Sequence, residues 1–285
     1  MHISSLPSEY GIGKMGKSAY DFVDFLRKSG TKCWQILPLS PTSYGDSPYQ
    51  SFSVNAGNPY FIDFDILESE GLLEHHEFSS FTWESDPEKV DYSIIYENCF
   101  KVLRMAYDRF KPTRVAEYKA FCDENKKWLD EYALFMALKA KNGGKAWYEW
   151  DEEIAMHKAK AVSEAKKELK KEIGFYKFMQ FQFYKQWGEL KKYANDSGIQ
   201  IIGDIPIYCA LDSVEAWASP RLFQFDKKHM PTAVAGCPPD DFSPTGQLWG
   251  NPLYNWTYHK KTGYEWWIDR IANAAKLYDI VRIDH

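Results

Sequence analysis

Three segments of the chain share one pattern, in which an amphipathic helix is followed by a short break and an apolar strand. They read SAYDFVDFLRKSG–TKCWQILPLS, FYKQWGELKKYANDSG–IQIIGDIPIY and EWWIDRIANAAKLY–DIVRIDH. Gly30 and Gly198 stand where a left-handed helix C-cap would be needed. Apolar strands that alternate with helices predict a parallel sheet whose faces are covered by helices.

The spacing between the predicted strands is uneven. Roughly 160 positions separate Leu39 from Ile199, far more than a single crossover helix requires. Several helical patterns fill this interval, which predicts an inserted helical subdomain over approximately residues 65–175. A second insertion, over residues 210–260, is rich in Pro, Gly and Trp, which predicts a structured substrate loop region.

The number of strands limits the possible architecture. The chain has about three complete strands and a possible strand stub at His2-Ile3. A (β/α)8 barrel needs eight strands, so we expect residues 1–285 to form about the first four strands of a TIM barrel, an incomplete catalytic domain of the α/β class. A doubly wound sheet would place its ligands at the same strand ends, but no G-x-G-x-x-G or P-loop pattern indicates a nucleotide.

Composition excludes several classes of partner. The net charge of −5 and the pI near 5.9 argue against nucleic acid. The five cysteines are odd in number and form no C-x-x-C pair, which argues against a disulfide framework or a zinc site and favours a reducing cytoplasm. No apolar run approaches the ~18 residues of a membrane span. No cofactor or metal is implied.

Charged residues stand at the ends of two predicted strands. Asp204 follows Gly203 within an apolar run, and RIDH closes the third strand. Arg282 and Asp284 are two positions apart and therefore point to one face of a strand. A neighbouring cation favours the ionised carboxylate that a nucleophile requires. The alternatives are a turn-capping Asp204 and a structural ion pair between Arg282 and Asp284.

The loop at positions 41–63, PTSYGDSPYQSFSVNAGNPYFID, follows the first strand. It is dense in turn-forming and polar residues, so it is either a surface loop whose turns need Gly45 and Pro48 or part of a binding site. For a binding role it offers five candidate side chains that are grouped together, namely Tyr44, Ser47, Tyr49, Gln50 and Ser51.

A second polar loop, GCPPDDFSPTGQLWGNPLYNW at positions 236–256, combines prolines with tryptophans. Indole rings there either fasten the loop to the core or pack against the C–H faces of a sugar whose hydroxyls meet nearby polar groups. The candidate residues are Asp240, Gln247, Trp249 and Trp256.

Five motifs in this order resemble the 4-α-glucanotransferases, known as amylomaltases or disproportionating enzymes, a branch of the α-amylase superfamily. They are SSLPSEYGIG, WQILPLSPTSYGDSPYQSFSVNAGNPY, GDIPIY, PPDDFSPTGQLWGNPLY and VRIDH. The resemblance implies a (β/α)8 barrel with helical insertions. It also implies retaining transfer, through a covalent glycosyl-enzyme, of α-1,4-glucan segments to the 4-hydroxyl of another glucan or of glucose. The implied partners are maltooligosaccharides and dextrins derived from starch or glycogen.

The resemblance also implies roles for individual residues. Asp284 takes the position of the nucleophile, and Arg282 and His285 flank it and contact the sugar. Asp204 lies in the donor-side pocket. The remaining implied binding residues are Tyr44, Ser47 and Tyr49 as subsite residues, and Asp240, Gln247 and Trp249 on a loop over the acceptor side.

The chain departs from the family pattern at both ends. The family's acid/base Glu and a further stabilising Asp lie beyond residue 285, and the strand that should precede His2 is reduced to Met1. We therefore expect a fragment that does not disproportionate maltotriose. An α-glucan hydrolase of the same superfamily and a non-catalytic glucan-binding protein remain open as alternatives, which reaction products would separate.

Overall fold

The structure, a computed structural model, describes residues 1–86, 88–241 and 243–284, without the side chain of Tyr44. A parallel sheet has the strand order β1, β2, β5. The remaining two strands, β3 and β4, form an antiparallel hairpin. The strands are β1 Cys33–Gln35, β2 Gln200–Pro206, β3 Val234–Cys237, β4 Gln247–Pro252 and β5 Ile280–Asp284.

Helices account for most of the rest of the described chain. Within that part, no helix is both long and apolar enough to cross a membrane. The helices are α1 Lys17–Lys28, α2 Phe64–Ser69, α3 His76–Ser79, α4 Tyr92–Arg109, α5 Ala116–Glu124, α6 Lys126–Lys141, α7 Glu152–Ala155, α8 Ala159–Glu168, α9 Lys170–Asp196, α10 Val214–Ala218, α11 Trp256–Lys261 and α12 Glu265–Leu277.

The three predicted helix–strand units are present as α1–β1, α9–β2 and α12–β5. Gly30 and Gly198 adopt φ values of 76° and 77°, the left-handed conformation expected after a helix end. The strands pair in parallel, and β2 lies between its two neighbours. The mixed α/β class with a helix-covered parallel sheet is therefore confirmed.

The strand stub proposed at His2-Ile3 is wrong. Ile3–Ser5 forms a 3-10 turn in which the amides of Ser5 and Leu6 bond back to His2 and Ile3. These local bonds use the backbone groups that a strand would offer to a neighbour. Within the described residues the parallel sheet therefore has three strands rather than four.

Helix α9 fixes the segment that follows the β1 loop. Its Gln180 bonds both backbone groups of Gly57, accepting from the amide at 2.7 Å and donating to the carbonyl at 2.9 Å. Gln186 does the same to Asp63 at 2.8 and 3.2 Å. Both glutamines are fully buried. Because buried amides need partners, these bonds hold the end of the loop on the helix.

The two predicted insertions contain the expected kinds of element. Residues 65–175 hold α3 to α8, most of α2 and the start of α9, and residues 210–260 hold α10 and the β3–β4 hairpin. Aromatic side chains from the helical stretch share one buried core with residues of the sheet. The boundaries of a separate helical subdomain stay a prediction.

Candidate active site

A cleft of about 590 Å³ lies where β2 and β5 end. The last residues of these strands, Pro206 and Asp284, both line it. In parallel α/β folds ligands bind at the carboxyl ends of strands. The remaining lining residues are Ser47, Tyr49, Gln50, Ile207, Tyr208, Cys237, Asp240, Gln247, Trp249 and Asn251. Six predicted site residues thus meet in one cleft, namely Ser47, Tyr49, Asp240, Gln247, Trp249 and Asp284.

Two carboxylates are joined through one guanidinium at the strand ends. Arg282 Nη1 donates to Asp204 Oδ2 at 2.7 Å, and its Nη2 donates to Asp284 Oδ1 at 2.6 Å. Tyr49 adds a second donor, because its hydroxyl lies 2.7 Å from Asp204 Oδ2. We call Asp204, Arg282 and Asp284 the strand-end bridge. Asp204 is therefore held by distant side chains rather than capping a local turn.

The register of the sheet places this bridge. Asp204 of β2 pairs with Arg282 of β5, and Pro206 pairs with Asp284. Arg282 and Asp284 share a face because side chains alternate along a strand. Gly203 lets β2 pass over the buried ring of Tyr278, since a Cβ at this position would lie 2.1 Å from that ring. The predicted same-face arrangement of Arg282 and Asp284 is confirmed.

The electrostatics of the bridge give Asp204 an accepting role. Burial, and then the hydrogen bond to Asp204, raise the pKa of Tyr49 to about 12, so its phenol stays a donor near neutral pH. The hydrogen bond to Asp284, and then that to Asp204, raise the pKa of Arg282. Asp204, which is 2% exposed, therefore accepts from two side-chain donors at its Oδ2.

The β3–β4 hairpin forms the opposite wall of the cleft. Trp249 donates its indole N–H to Gln247 Oε1 at 3.0 Å, and its ring centroid lies 6.4 Å from that of Tyr208. At the turn, Asp240 Oδ1 accepts from the amide of Ser243 at 2.8 Å. This wall therefore offers aromatic faces beside amide and carboxylate groups, a combination that suits sugar rings.

Two functional candidates were missed from the sequence. Tyr208, just beyond β2, lines the cleft and stacks on Tyr254. Asn251, on β4, accepts a hydrogen bond from Gln50 at 3.2 Å. Gln50 stands beside the predicted Tyr49, but its partner is 201 positions away, and no local pattern indicates such a contact.

Five predicted residues are absent from the described lining of the cleft, and two of them, Asp204 and Arg282, belong to the strand-end bridge beside it. The side chain of Tyr44 and the whole of His285 lie outside the described residues, so their proposed roles stay predictions. Trp256 opens α11, is 52% exposed and packs nearly parallel to Trp267 at 6.0 Å. It is absent from the described lining of the cleft.

One group of three side chains in the described chain has atoms spaced closely enough to be metal ligands. The ligand atoms of Asp65, Glu68 and His75 all lie within 4.8 Å of one another. Two of these side chains are exposed, and none of the three lines the cleft. The cleft instead combines Asp284, which the strand-end bridge holds, with aromatic and amide groups, an arrangement that suits carbohydrate chemistry.

Comparison with known proteins agrees with this chemistry. The family model for 4-alpha-glucanotransferase matches residues 1–285. A Clostridium butyricum protein named 4-alpha-glucanotransferase is 52% identical over 286 residues, which cover all of this chain and 59% of that protein. A Thermus thermophilus protein of the same name is 45% identical over 290 residues, with 57% of its length covered. The chain thus spans less than three fifths of these relatives.

Solved structures give the same result. The amylomaltase from Streptococcus agalactiae, in complex with acarbose, has a TM-score of 0.97 and 49% identity, covering all of this chain and 58% of that one. The amylomaltase from Corynebacterium glutamicum shares the fold at a TM-score of 0.76 with 19% identity, over 40% of its length. By its sequence over all 285 residues, this chain belongs to the 4-alpha-glucanotransferase family.

Proposed function

We propose that this chain carries the nucleophile side of a 4-α-glucanotransferase active site. Such an enzyme transfers a segment of an α-1,4-glucan to the 4-hydroxyl of an acceptor glucan or of glucose. The observation that carries the proposal is the strand-end bridge, which holds Asp284 at the edge of a cleft whose other wall presents Trp249 and Gln247.

In the proposed mechanism Asp284 attacks the anomeric carbon and forms a covalent glycosyl-enzyme. Retaining chemistry needs a second carboxyl group about 5 to 5.5 Å away, which first protonates the leaving oxygen and then deprotonates the acceptor hydroxyl. Asp204 is a poor candidate because its Oδ2 accepts from Tyr49 and Arg282. The family resemblance predicts that this second group is a Glu beyond residue 285.

The bridge has a defined task in this mechanism. Arg282 holds Asp284 by one guanidinium nitrogen and Asp204 by the other. A charge-assisted bond of this kind orients the attacking carboxylate. Asp204 in turn balances the charge of Arg282, so that the guanidinium does not bind Asp284 so strongly as to suppress its nucleophilicity.

The lining of the cleft supports an α-glucan as the substrate. Tyr49, Tyr208 and Trp249 offer aromatic faces, and Gln247 offers an amide to hydroxyl groups. The acarbose complex of the Streptococcus agalactiae amylomaltase supports the same class of ligand. We propose maltooligosaccharides and starch- or glycogen-derived dextrins as substrates, with glucose as the smallest acceptor. The five free thiols fit a cytoplasmic location.

The test is a chimera in which residues 1–285 replace the matching part of the Clostridium butyricum relative. With maltotriose we expect glucose together with longer maltooligosaccharides. Asp284→Asn should lower kcat by about 10⁴-fold or more, because it removes the nucleophile. Products that are only shorter than the substrate would identify a hydrolase, and binding without any product would identify a non-catalytic glucan-binding protein.

The 285-residue chain alone provides a second measurement. We expect it to bind maltoheptaose in calorimetry without converting maltotriose, because the acid/base group is predicted outside it. Glucose and longer dextrins formed by the purified chain would contradict that assignment and would place the proton donor within these residues.

A further inference from the structure

The two walls of the cleft are joined by a pair of side-chain amides. Gln50 Nε2, on the loop that carries Tyr49, donates to Asn251 Oδ1 on β4 at 3.2 Å. Asn251 Nδ2 donates onward to the carbonyl of Cys209 at 2.8 Å, in the segment after β2. We call the contact between Gln50 and Asn251 the amide bridge. Together these two hydrogen bonds connect three chain segments at the cleft.

Asn251 is well placed to control the hairpin wall. It lies on β4 two residues after Trp249, and Gln247, Trp249 and Asn251 all line the cleft, although the pairing of β4 with β3 is irregular around Gly250, whose φ is 78°. Leu248, between them in sequence, points the other way and is 80% exposed. Asn251 is 5% exposed, so it forms the buried inner end of a strand whose outer part is open to solvent. A shift at this end would move the whole row of cleft-facing side chains.

Gln50 is equally well placed on the opposite wall. Its carbonyl accepts from the amide of Ser43 at 3.0 Å, and Thr42 bridges to Ser51, so these contacts close the base of the loop. Its neighbour Tyr49 holds Asp204 at 2.7 Å. Tyr49 therefore links the two bridges, because it is the sequence neighbour of Gln50 and donates a hydrogen bond to Asp204.

We propose that Gln50 and Asn251 are a positioning pair that sets the width of the cleft and so the choice between sugar and water as acceptor. The inference rests on the proposed function. Neither amide takes part in bond making. The pair acts by keeping Trp249 and Gln247 close enough to Tyr49 and Asp284 for a bound acceptor to exclude water from the glycosyl-enzyme.

The variants separate the two hydrogen bonds of Asn251. Gln50→Leu removes the donor of the amide bridge and keeps the approximate size of the side chain. Asn251→Asp retains an acceptor for Gln50 but loses the donor to Cys209. The matched control is Gln224→Leu, because Gln224 also donates one amide bond near the hairpin, to the carbonyl of Tyr254 at 3.1 Å, yet does not line the cleft.

The first readout needs no catalysis. Hydrogen exchange of the backbone amides of β4, residues 247–251, measures opening of the hairpin in the 285-residue chain. We expect at least fivefold faster exchange in Gln50→Leu and an unchanged rate in Gln224→Leu. Equal exchange in Gln50→Leu and the unmodified chain would overturn the inference, whether or not the protein proves to be a transferase.

The second readout uses the chimera with maltotriose. Gln50→Leu should raise the ratio of hydrolysis to transfer about fivefold and raise KM for the acceptor glucose, with kcat changed less than threefold. The double variant Gln50→Leu/Asn251→Leu should be no worse than Asn251→Leu alone, because that single variant already removes the contact with Gln50. Additive effects, or an unchanged product ratio, would overturn the positioning role. A chimera without any products would instead refute the proposed function and leave the exchange result as the test.

Discussion

The strand-end bridge and the hairpin wall face each other across the cleft but are held in different ways. Arg282 and Asp284 are placed by a strand paired along its length with β2, and Asp204 is 2% exposed. The hairpin has only two strands, and its Leu248 is exposed to solvent. On its cleft face, Trp249 donates a hydrogen bond to Gln247 of the same strand. The residues proposed for bond making thus lie on a three-stranded parallel sheet, and those proposed for substrate selection lie on a two-stranded hairpin.

The largest effect that would test this comparison comes from Asp204→Asn in the chimera. It removes the charge that balances Arg282, so the guanidinium should bind Asp284 more tightly. We expect kcat for maltotriose to fall about 10²- to 10³-fold while KM changes less than threefold. A rise in KM with kcat preserved would show that Asp204 only binds sugar. The strand-end bridge would then serve substrate binding, as the hairpin wall does.

The corresponding substitution in the hairpin wall is Trp249→Ala. It removes one aromatic face of the cleft but no group of the strand-end bridge. We expect kcat/KM to fall about 10- to 30-fold, mainly through KM, since stacking contributes similarly to bound substrate and transition state. Leu248→Ala is the matched control on the outer face of the same strand and should change kcat/KM less than twofold. A tenfold loss of kcat in Trp249→Ala at saturating substrate would contradict the division between the walls.

A smaller effect is expected when the tip of the hairpin is shortened. Deleting residues 241–247 from the chimera removes the turn and Gln247 but leaves Trp249 and Asn251. Water should then reach the glycosyl-enzyme more easily, and the ratio of hydrolysis to transfer should rise about threefold. Glucose and maltooligosaccharides, resolved by chromatography, give this ratio. An unchanged ratio would show that the tip does not exclude water.

The same division explains what could be predicted from the sequence. The sequence pattern predicted the positions of Asp204, Arg282 and Asp284 at strand ends. Strand periodicity and parallel pairing fix these positions even though long helical segments separate the strands along the chain. The predicted strand at His2-Ile3 is wrong because two residues are too few to show an alternating pattern. Local backbone hydrogen bonds form a 3-10 turn there instead.

Contacts between distant polar side chains could not be predicted. Gln50 and Asn251 are 201 positions apart, and Gln180 reaches Gly57 across 123. A glutamine in a loop or on a helix face is ordinarily solvated, and only the folded chain determines which amide it meets. The family resemblance supplied Gln247 and Asp240, whose loop chemistry alone left a structural and a binding interpretation equally open.

The smallest predicted effect concerns the contact between Tyr49 and Asp204 and depends on pH. Burial and Asp204 raise the pKa of Tyr49 from about 10 to about 12 in the folded chain. Because the folded state disfavours the phenolate, the stabilisation from Tyr49 is fully present below pH 10 and is lost as the pH rises to 12. The urea midpoint of the unmodified chain should therefore exceed that of Tyr49→Phe by a constant amount up to about pH 9.5, and the difference should shrink above it. When Tyr49→Phe is made in an Asp204→Asn background, the difference in urea midpoint should shrink less at high pH, because burial alone then raises the pKa of Tyr49. A midpoint difference that stays constant from pH 7 to 12 would mean that Tyr49 does not donate to Asp204, and that the bridge to Arg282 alone holds the buried carboxylate.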